Sequence, residues 1–204
     1  MSKVVVAFLN GPQGVGKGFT FEELGRRYPS IQRVGMSALF RAHRAANGPY
    51  TKALVTHMDV KKDLVPSWMT IKILEQDLNA RIGGLGEETI YIAIEGFPRN
   101  PDQAENIATS LIQKPEVVLV QFVLKAAPGV ADSNAANRNR GPDDSPEGRT
   151  VRQRIYETET MPAIDVLKTK FGVSTFVYEG GSGDMYIDNA QNMAAVMFGL
   201  GGEV

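Results

Sequence analysis

The stretch GPQGVGKG, residues 11–18, stands between an apolar, β-branched run at residues 4–9 and a helix-favouring segment at residues 17–27. The apolar run predicts a buried strand, and the order of strand, glycine-rich turn and helix fits the pattern G-x-x-x-x-G-K. Glycines let backbone N–H groups converge on phosphate oxygens, and the helix N-terminus adds partial positive charge. The stretch therefore predicts a phosphate-binding loop in which Lys17 reaches the β- and γ-phosphates of a nucleotide. The backbone predicted to bind the nucleotide comprises Gly14, Val15, Gly16, Gly18 and Phe19.

Strands and helices are predicted to alternate outward from this loop, which indicates an α/β fold with a mainly parallel sheet. Further strands are expected at residues 90–94 and 117–124, with weaker candidates at 173–178 and 185–187. Helices are expected at residues 101–112 and 189–200.

Two segments depart from this alternation. Residues 34–78 are predicted to be mostly helical with no long strand, and residues 126–148 are rich in Gly, Pro, Asn and Asp, which predicts a mobile loop. The chain therefore divides into a core, a helical insert and a short flap. The core comprises residues 1–29, 72–125 and 149–204, the insert residues 30–71, and the flap residues 126–148.

Composition limits the possible functions. The 204 residues carry a net charge of -1, which gives no electrostatic reason to expect nucleic-acid or membrane binding. The chain contains no cysteine, which excludes disulfides and thiolate catalysis, and only two histidines, so no zinc site is expected. No run approaches the ~20 apolar residues of a membrane helix. A soluble, cytoplasmic protein is the expectation.

A second motif, EGFPRNPDQA at residues 95–104, follows a predicted buried strand, at the end of which α/β sheets place ligands. With GKG at residues 16–18, it resembles the adenylate kinase family and its signature D-G-F-P-R-x-x-x-Q-A. The resemblance implies a P-loop three-layer α/β sandwich with a mainly parallel five-stranded sheet, a helical insert that binds the nucleoside monophosphate (NMP), and a short lid. It implies phosphoryl transfer from ATP with Mg²⁺ to an NMP, with AMP as the expected acceptor.

The resemblance also implies roles for residues of the second motif. Gly96 lets the acceptor approach, Arg99 holds its phosphate, Gln103 contacts the adenine edge, and Glu95 holds magnesium through water. Two alternatives stay open. Gln103 lies three residues after Asn100 in a good helix start, so it also fits a capping role. Arg99 could be a surface ion-pair partner.

A third segment, RNRGPDD at residues 138–144 followed by TVRQRIY at residues 150–156, resembles the lid of the family, R-x-D-D followed by E-E-T-x-x-x-R-L, with extra residues on both sides of the Asp pair. Arg154 is the best match to the arginine that bridges both phosphates, Arg140 is next, and Arg138 is a substitute for it. The alternative is that Arg149, Arg152 and Arg154 line a solvated helix face. The flap is short and lacks a cysteine quartet, which implies a short-lid, zinc-free member.

Weaker matches place further residues at the nucleotides. VGMSALFR at residues 34–41 resembles I-S-T-G-D-x-L-R, and by this match Arg41 binds the acceptor phosphate. Phe19 stands where the family has Thr, and Thr20 is rotated by ~100° from it on a helix, which puts magnesium placement in question. The remaining assignments are Met36, Leu64 and Val65 near the acceptor base and Gln191 near the ATP adenine.

Other functions remain open at this point. The acceptor could be UMP, CMP or a deoxynucleotide instead of AMP. A nucleotide-binding homologue with little transfer activity is a second possibility, because Phe19 and Glu95 both alter expected magnesium contacts. The family resemblance implies a monomer.

Overall fold

The apolar run before the phosphate loop forms the middle strand of the sheet in the structure, a computed structural model that describes residues 3–61, 63–83, 88–138 and 145–202. All seven residues of this strand, Val4–Asn10, are buried. The strand has partners on both sides, since Val6 lies opposite Ile92 on one neighbour and Leu119 on the other. Burial on both faces explains why the run is continuously apolar.

Strands and helices alternate along the described chain, as the sequence predicts. The strands are β1 (Val4–Asn10), β2 (Ile31–Gly35), β3 (Ile90–Glu95), β4 (Val117–Lys125) and β5 (Ser174–Glu179). The helices are α1 (Lys17–Arg27), α2 (Met36–Ala45), α3 (Thr51–Val55), α4 (Ser67–Ile82), α5 (Pro101–Ile112), α6 (Val130–Arg138), α7 (Pro146–Ile155), α8 (Met161–Thr169) and α9 (Met185–Gly201). A first π segment, Thr56–Lys61, continues α3, and a second π segment, Tyr156–Thr160, joins α7 to α8.

The five strands are all parallel and lie in the order β2-β3-β1-β4-β5. The chain therefore places β2 and β3 on one side of β1, and β4 and β5 on the other. All carboxyl ends meet at one edge, and ligands of open α/β sheets bind outside that edge where the strand order reverses. The phosphate loop follows β1 at this point.

Helices cover both faces of the sheet and make a three-layer sandwich, which confirms the predicted fold class. Alternate residues of β1 enter two separate cores. Val6 packs in one core with side chains of α4, α5 and α8, such as Leu74, Ile107 and Leu167. Ala7 packs in the other core with side chains of α1 and α9, such as Leu24 and Met193.

One strand of the sheet differs from the prediction. Residues 185–187 are not a strand but the first turn of α9, and the fifth strand is β2, at residues for which no strand is predicted. The prediction failed at β2 because it is an edge strand with two polar residues, Gln32 and Arg33, in five. Three apolar residues at 185–187 fit a helix equally well, since periodicity cannot separate the two over so short a run.

The segment at residues 126–148, predicted to be a mobile loop, is partly helical. It contains α6, Val130–Arg138, and the start of α7 at Pro146. Ser145 caps α7 by accepting a hydrogen bond from the N–H of Gly148 at 3.0 Å, and Pro146 occupies the first helical position. Ser at the N-cap and Pro at the first position are ordinary signals of a helix start. The mobile-loop prediction missed them because it rested on the overall composition of the segment.

The division into core, insert and flap stays a prediction. Strand β2 falls within residues 30–71 and yet belongs to the sheet. The helices that follow it have a small apolar core of their own, in which Leu54 packs with Val65, Met69 and Ile73. Within the described ranges, no helix has the length and apolar character needed to cross a bilayer.

Candidate active site

The phosphate loop has the backbone geometry that an anion site requires. Helix α1 begins at Lys17, and its N-cap, Gly16, is left-handed with φ 98° and makes no side-chain cap hydrogen bond. The first N–H groups of a helix lack intrahelical partners and attract anions. Gly14 is also left-handed, with φ 81°, and a Cβ there would overlap the carbonyl oxygen of Ala131 in α6. Glycine is therefore required at both positions.

Lys17 folds back over its own loop. Its Nζ atom donates hydrogen bonds to the carbonyl oxygens of Gly11 and Pro12, both at 2.7 Å. The ammonium group is thus held against the phosphate loop, and Lys17 lines a cavity beside it. The neighbouring Asn134 of α6 donates to the carbonyl oxygens of Gly14, at 3.2 Å, and Gly181, at 2.6 Å, which ties α6 to the phosphate loop.

The loop after β3 lies beside the phosphate loop and is held from several directions. Asn10, at the end of β1, donates from Nδ2 to the carbonyl oxygen of Phe97 at 3.3 Å. Thr160 of the second π segment donates from Oγ1 to the carbonyl oxygen of Arg99 at 3.1 Å. Arg99 is therefore anchored through its backbone while its side chain lines a cavity shared with Lys17.

This cavity, the central cavity, measures about 1040 Å³ and lies at the carboxyl edge of the sheet. Cations outnumber carboxylates among the described residues that line it. The cations are Lys17, Arg33, Arg41, Arg99 and Arg152, and the carboxylates are Glu22 and Glu95. Arg33 has protein partners already: it donates to the carbonyl oxygen of Phe21 at 3.0 Å, and its guanidinium lies 5.4 Å from the centre of the Phe21 ring. An excess of positive charge in a concave site attracts polyphosphates.

Helix α7 presents two arginines to two different places. Arg152 is half-buried and lines the central cavity, whereas Arg154 is exposed and lines a smaller cavity of about 370 Å³ with Asp132 and Arg149. Residues two positions apart on a helix point in directions about 200° apart around its axis, so the two side chains cannot share a face. Arg154, the sequence-based candidate, thus lies apart from Lys17 and Arg99, and Arg152 lies with them. Arg149 forms an ion pair with Asp132 of α6 at 2.8 Å.

The second π segment contributes two more residues to the central cavity, Tyr156 and Thr160. With Arg152 they follow the spacing i, i+4, i+8, which continues one face of α7 into the segment. Burial raises the pKa of Tyr156 above its ordinary value, so its phenol stays protonated at neutral pH and can donate a hydrogen bond. π segments often occur at functional sites.

Several sequence-predicted residues lie elsewhere. Met36 is buried in the core beside the sheet, and Val65 in the small core of α3 and α4, with Leu64 next to it. Gln103 is 1% exposed, and its Oε1 accepts the N–H of Arg99 at 2.8 Å. Gln191 is exposed in the second turn of α9. None of these side chains lines the central cavity.

Gln103 and Asn100 form the start of α5 together. Asn100 accepts a hydrogen bond from the N–H of Gln103 at 2.9 Å, while Gln103 reaches back to Arg99. The capping alternative for Gln103 is thus realised. Of the other predicted contacts, Gly18, Gly96, Phe19 and Arg41 line the central cavity, and Val15 is buried.

Arg140 and the side chain of Arg138 lie outside the described residues. Thr20, the candidate substitute for the hydroxyl missing at Phe19, is fully buried in α1. Its side chain therefore faces the core, as the rotation along the helix predicts.

The donor atoms at the cavity fit a magnesium ion held largely by phosphates. Glu95 and Asn10 line the cavity at the ends of β3 and β1, and each offers side-chain oxygens. Mg²⁺ takes few protein ligands, usually one or two carboxylates with phosphates and water. In the described part of the chain no group of three or more His, Cys, Asp or Glu residues could form a protein-only metal site.

Comparison with known proteins agrees with this geometry. No protein-family model matches the chain. The chain is 30% identical over 165 residues to UMP-CMP kinase 2 of Caenorhabditis elegans, an alignment that covers 78% of the chain and 81% of that kinase. The chain belongs to the adenylate kinase family of nucleoside monophosphate kinases.

The names of other relatives specify different acceptor nucleotides. The adenylate kinase of Deinococcus deserti is 26% identical over 197 residues, covering 91% of the chain and 88% of the relative. The uridylate kinase of Saccharomyces cerevisiae is 24% identical over 194 residues, covering 91% and 89%. Family membership supports a phosphotransferase that uses nucleoside monophosphates, and similar identities to kinases of different acceptors leave the base undecided.

Sequence reasoning missed some cavity residues for identifiable reasons. Arg33 was hidden because β2 was not predicted, and Tyr186 because its segment was assigned to a strand. For Arg152, the sequence alone predicts no role beyond a place on a solvated helix face. The spacing of Arg152, Tyr156 and Thr160 was an available signal, since a polar face of this period at a family lid helix favours a site.

Proposed function

We propose that this protein transfers the γ-phosphoryl group of ATP, with Mg²⁺, to AMP, reversibly, giving two molecules of ADP. The observation that carries the proposal is the convergence of Lys17, Arg41, Arg99 and Arg152 on one cavity beside the phosphate loop. The cavity, at about 1040 Å³, lies at the upper end of the ~300–1,000 Å³ typical of ligand sites.

In the proposed reaction, the loop binds the β- and γ-phosphates of ATP. Charged phosphate oxygens replace the neutral carbonyl oxygens of Gly11 and Pro12 as acceptors for Lys17, because charge-assisted hydrogen bonds are the stronger ones. The N–H groups at the start of α1 complete the cradle. Binding thus moves Lys17 from its own backbone onto the group that is transferred.

The arginine wall, which we define as Arg41, Arg99 and Arg152, holds the acceptor and the transferred group. Guanidinium forks bind phosphate oxygens in pairs, so Arg41 and Arg99 suit the acceptor phosphate. Arg152 replaces Arg154 in the proposal as the arginine that contacts both phosphates, because it alone of the two lines the central cavity. Arg138 and Arg140 remain proposed partners from the lid.

The chemical step breaks the bond between the γ-phosphorus and the oxygen that bridges it to the β-phosphate. A new bond forms to an oxygen of the AMP phosphate, and the bridging oxygen keeps the electron pair. The attacking oxygen belongs to a largely ionised phosphate, with a second pKa of ~6, so no strong general base is needed. Tyr156, protonated at neutral pH, serves as a donor and not as a base.

Magnesium, when bound, neutralises charge on the terminal phosphates of ATP. Glu95 is the proposed protein partner, acting through water, with Asn10 beside it. We also propose that residues 30–71 bind the NMP and that residues 126–148 act as the short lid. Action as a monomer in the cytoplasm completes the proposal, and light scattering in solution tests the monomer.

A second acceptor class has a specific observation in its favour, the identity of 30% to a UMP-CMP kinase. Gln103 supports adenine through the family resemblance. However, its Oε1 accepts the N–H of Arg99, and its side chain is buried and does not line the central cavity. The geometry of Gln103 therefore gives adenine no advantage over other bases.

The test is a panel in which the protein, Mg²⁺ and ATP are mixed with AMP, UMP, CMP or dAMP, and diphosphate formation is measured. We expect the highest kcat/KM with AMP. A higher value with UMP or CMP would move the protein to the second acceptor class. No diphosphate from any acceptor would reject the kinase. The variant Lys17→Met, purified in parallel, controls for contaminating kinases.

A further inference from the structure

An aromatic pair stands at the entrance of the phosphate loop. Phe19, in the first turn of α1, is 55% exposed. Its ring stacks on Tyr186 of α9, with centroids 5.2 Å apart and ring planes at 19°. Both rings line the central cavity. The Tyr186 ring packs directly against the phosphate loop, because any Cβ at Gly16 would overlap it.

The position of the pair in the fold separates it from Arg41 and Arg99. Tyr186 follows β5, on the β4 and β5 side of the phosphate loop, whereas Arg41 and Arg99 follow β2 and β3 on the other side. Two nucleotides joined through their phosphates at the loop must extend in opposite directions. The nucleotide that extends toward β5 is the donor, since the acceptor phosphate lies at the arginines.

Exposure of Phe19 indicates what the pair can bind. A phenylalanine at the start of a helix is usually buried, and one left exposed beside a concave polar site offers an apolar face to a ligand. Nucleobases stack on aromatic side chains, and all bases share this property because each has a π face. The side-chain amide of Asn134 on α6, which also lines the cavity, already donates hydrogen bonds to the carbonyl oxygens of Gly14 and Gly181.

We propose that Phe19, supported by Tyr186, binds the base of the donor nucleotide by stacking. This rests on the proposed function, which places the donor phosphates in the loop. The aromatic ring at position 19 thereby has a role that a magnesium-binding hydroxyl at the same place would not supply: it holds the end of ATP farthest from the reaction.

The experiment separates the base from the phosphates. The dissociation constants of ATP and of inorganic tripolyphosphate, both with Mg²⁺, are measured by calorimetry for the wild type, Phe19→Ala and Phe19→Tyr. Stacking of one base corresponds to roughly tenfold in affinity or more. We expect Phe19→Ala to weaken ATP binding about tenfold and to leave tripolyphosphate binding unchanged. Phe19→Tyr retains the ring and should bind ATP as the wild type does.

Ile112→Ala is the matched control, because Ile112 is an exposed apolar side chain, 47% exposed, at the end of α5. It should change neither constant. The proposal is overturned if Phe19→Ala weakens both ligands equally, if it weakens neither, or if wild type binds tripolyphosphate as tightly as ATP. These readouts need no acceptor and no turnover. Absence of diphosphate in the acceptor panel would therefore reject the kinase without deciding the stacking result.

Discussion

The two halves of the site are built in different ways. The phosphate loop is one continuous stretch, residues 11–18, whose chemistry comes from consecutive N–H groups and one lysine. The arginine wall draws one side chain each from α2, the loop after β3, and α7. The phosphate loop depends on consecutive residues, whereas the arginine wall depends on how separate elements place their side chains around one cavity. The loop is therefore recognisable from the sequence, and the wall is recognisable only in the folded structure.

The largest expected effect tests the continuous half. Lys17→Met removes the ammonium that neutralises the transferred group, while the thioether keeps most of the side-chain length. We expect kcat to fall by about 10²–10³, the cost of losing one preorganised charge-stabilising donor. Steady-state rates measure the effect, and thermal unfolding checks the fold. A variant with more than about a tenth of the wild-type rate would contradict the phosphate-loop assignment.

The second prediction tests the assembled half through a matched pair on one helix. Arg152→Ala should lower kcat by about 10² or more, because a cationic contact made in the transition state is lost. Arg154→Ala should change kcat by less than about threefold, since Arg154 is exposed and does not line the central cavity. Both variants remove the same charge from α7.

If Arg154 is instead the arginine that contacts both phosphates, as the sequence predicts, the two variants should show the opposite pattern. A large loss with Arg154→Ala and a small one with Arg152→Ala would mean that α7 turns when nucleotides bind. Equal losses would mean that the helix acts through its net charge. Salt titration distinguishes that case, because long-range effects are screened with a Debye length of about 10 Å at 0.1 M salt.

A third prediction concerns Gln103, where capping and base contact compete. Gln103→Ala removes a buried acceptor from the N–H of Arg99 and should lower the free energy of unfolding by about 1–3 kcal/mol. Asn100→Ala removes the N-cap of the same helix, worth about 1 kcal/mol, and provides the comparison. Chemical unfolding and the KM for AMP are measured for both.

The KM for AMP in the two variants decides whether Gln103 contacts the acceptor base. If Gln103 also contacts the acceptor base, Gln103→Ala should raise the KM for AMP several-fold more than Asn100→Ala does. Equal KM values in the two variants would reduce Gln103 to a cap. The selectivity for AMP would then have to come from other residues of the site.

Much of the fold is predictable from sequence because its signals are local. Helices α1 and α5 begin and end where predicted, since a glycine turn precedes the first, and Asn100 with Pro101 starts the second. Strand β1 is recognisable because both of its faces are buried. Strand β2 is not, because an edge strand with Arg33 on it lacks a continuous apolar pattern.

The site is predictable to a smaller extent. Lys17 and Arg99 follow strand ends within specific motifs, and the structure places them on one cavity. The choice between Arg152 and Arg154 depends on the helical phase of α7. Extra residues before α7 obscure the alignment with the family motif, and only the burial of one face separates the two arginines. The stack of Phe19 on Tyr186 joins positions far apart in sequence, which no local pattern indicates.

The smallest effect is expected outside both halves, at Glu23 of α1. Its carboxylate accepts hydrogen bonds from Arg26, at 2.6 Å, and Arg27, at 3.0 Å, and these bonds lower its pKa from 4.5 to about 2. A carboxyl whose pKa is lower in the folded state stabilises the fold above its unfolded pKa, and loses that contribution as the pH falls from 4.5 toward about 2. Glu23→Gln should therefore lower the melting temperature slightly at about pH 7, and the difference from wild type should shrink toward about pH 3. Paired thermal melts across that range measure it. A difference that stays constant with pH would show that the arginines do not interact with the charge of Glu23, and kcat should be unchanged throughout because Glu23 lies away from the phosphate loop and the arginine wall.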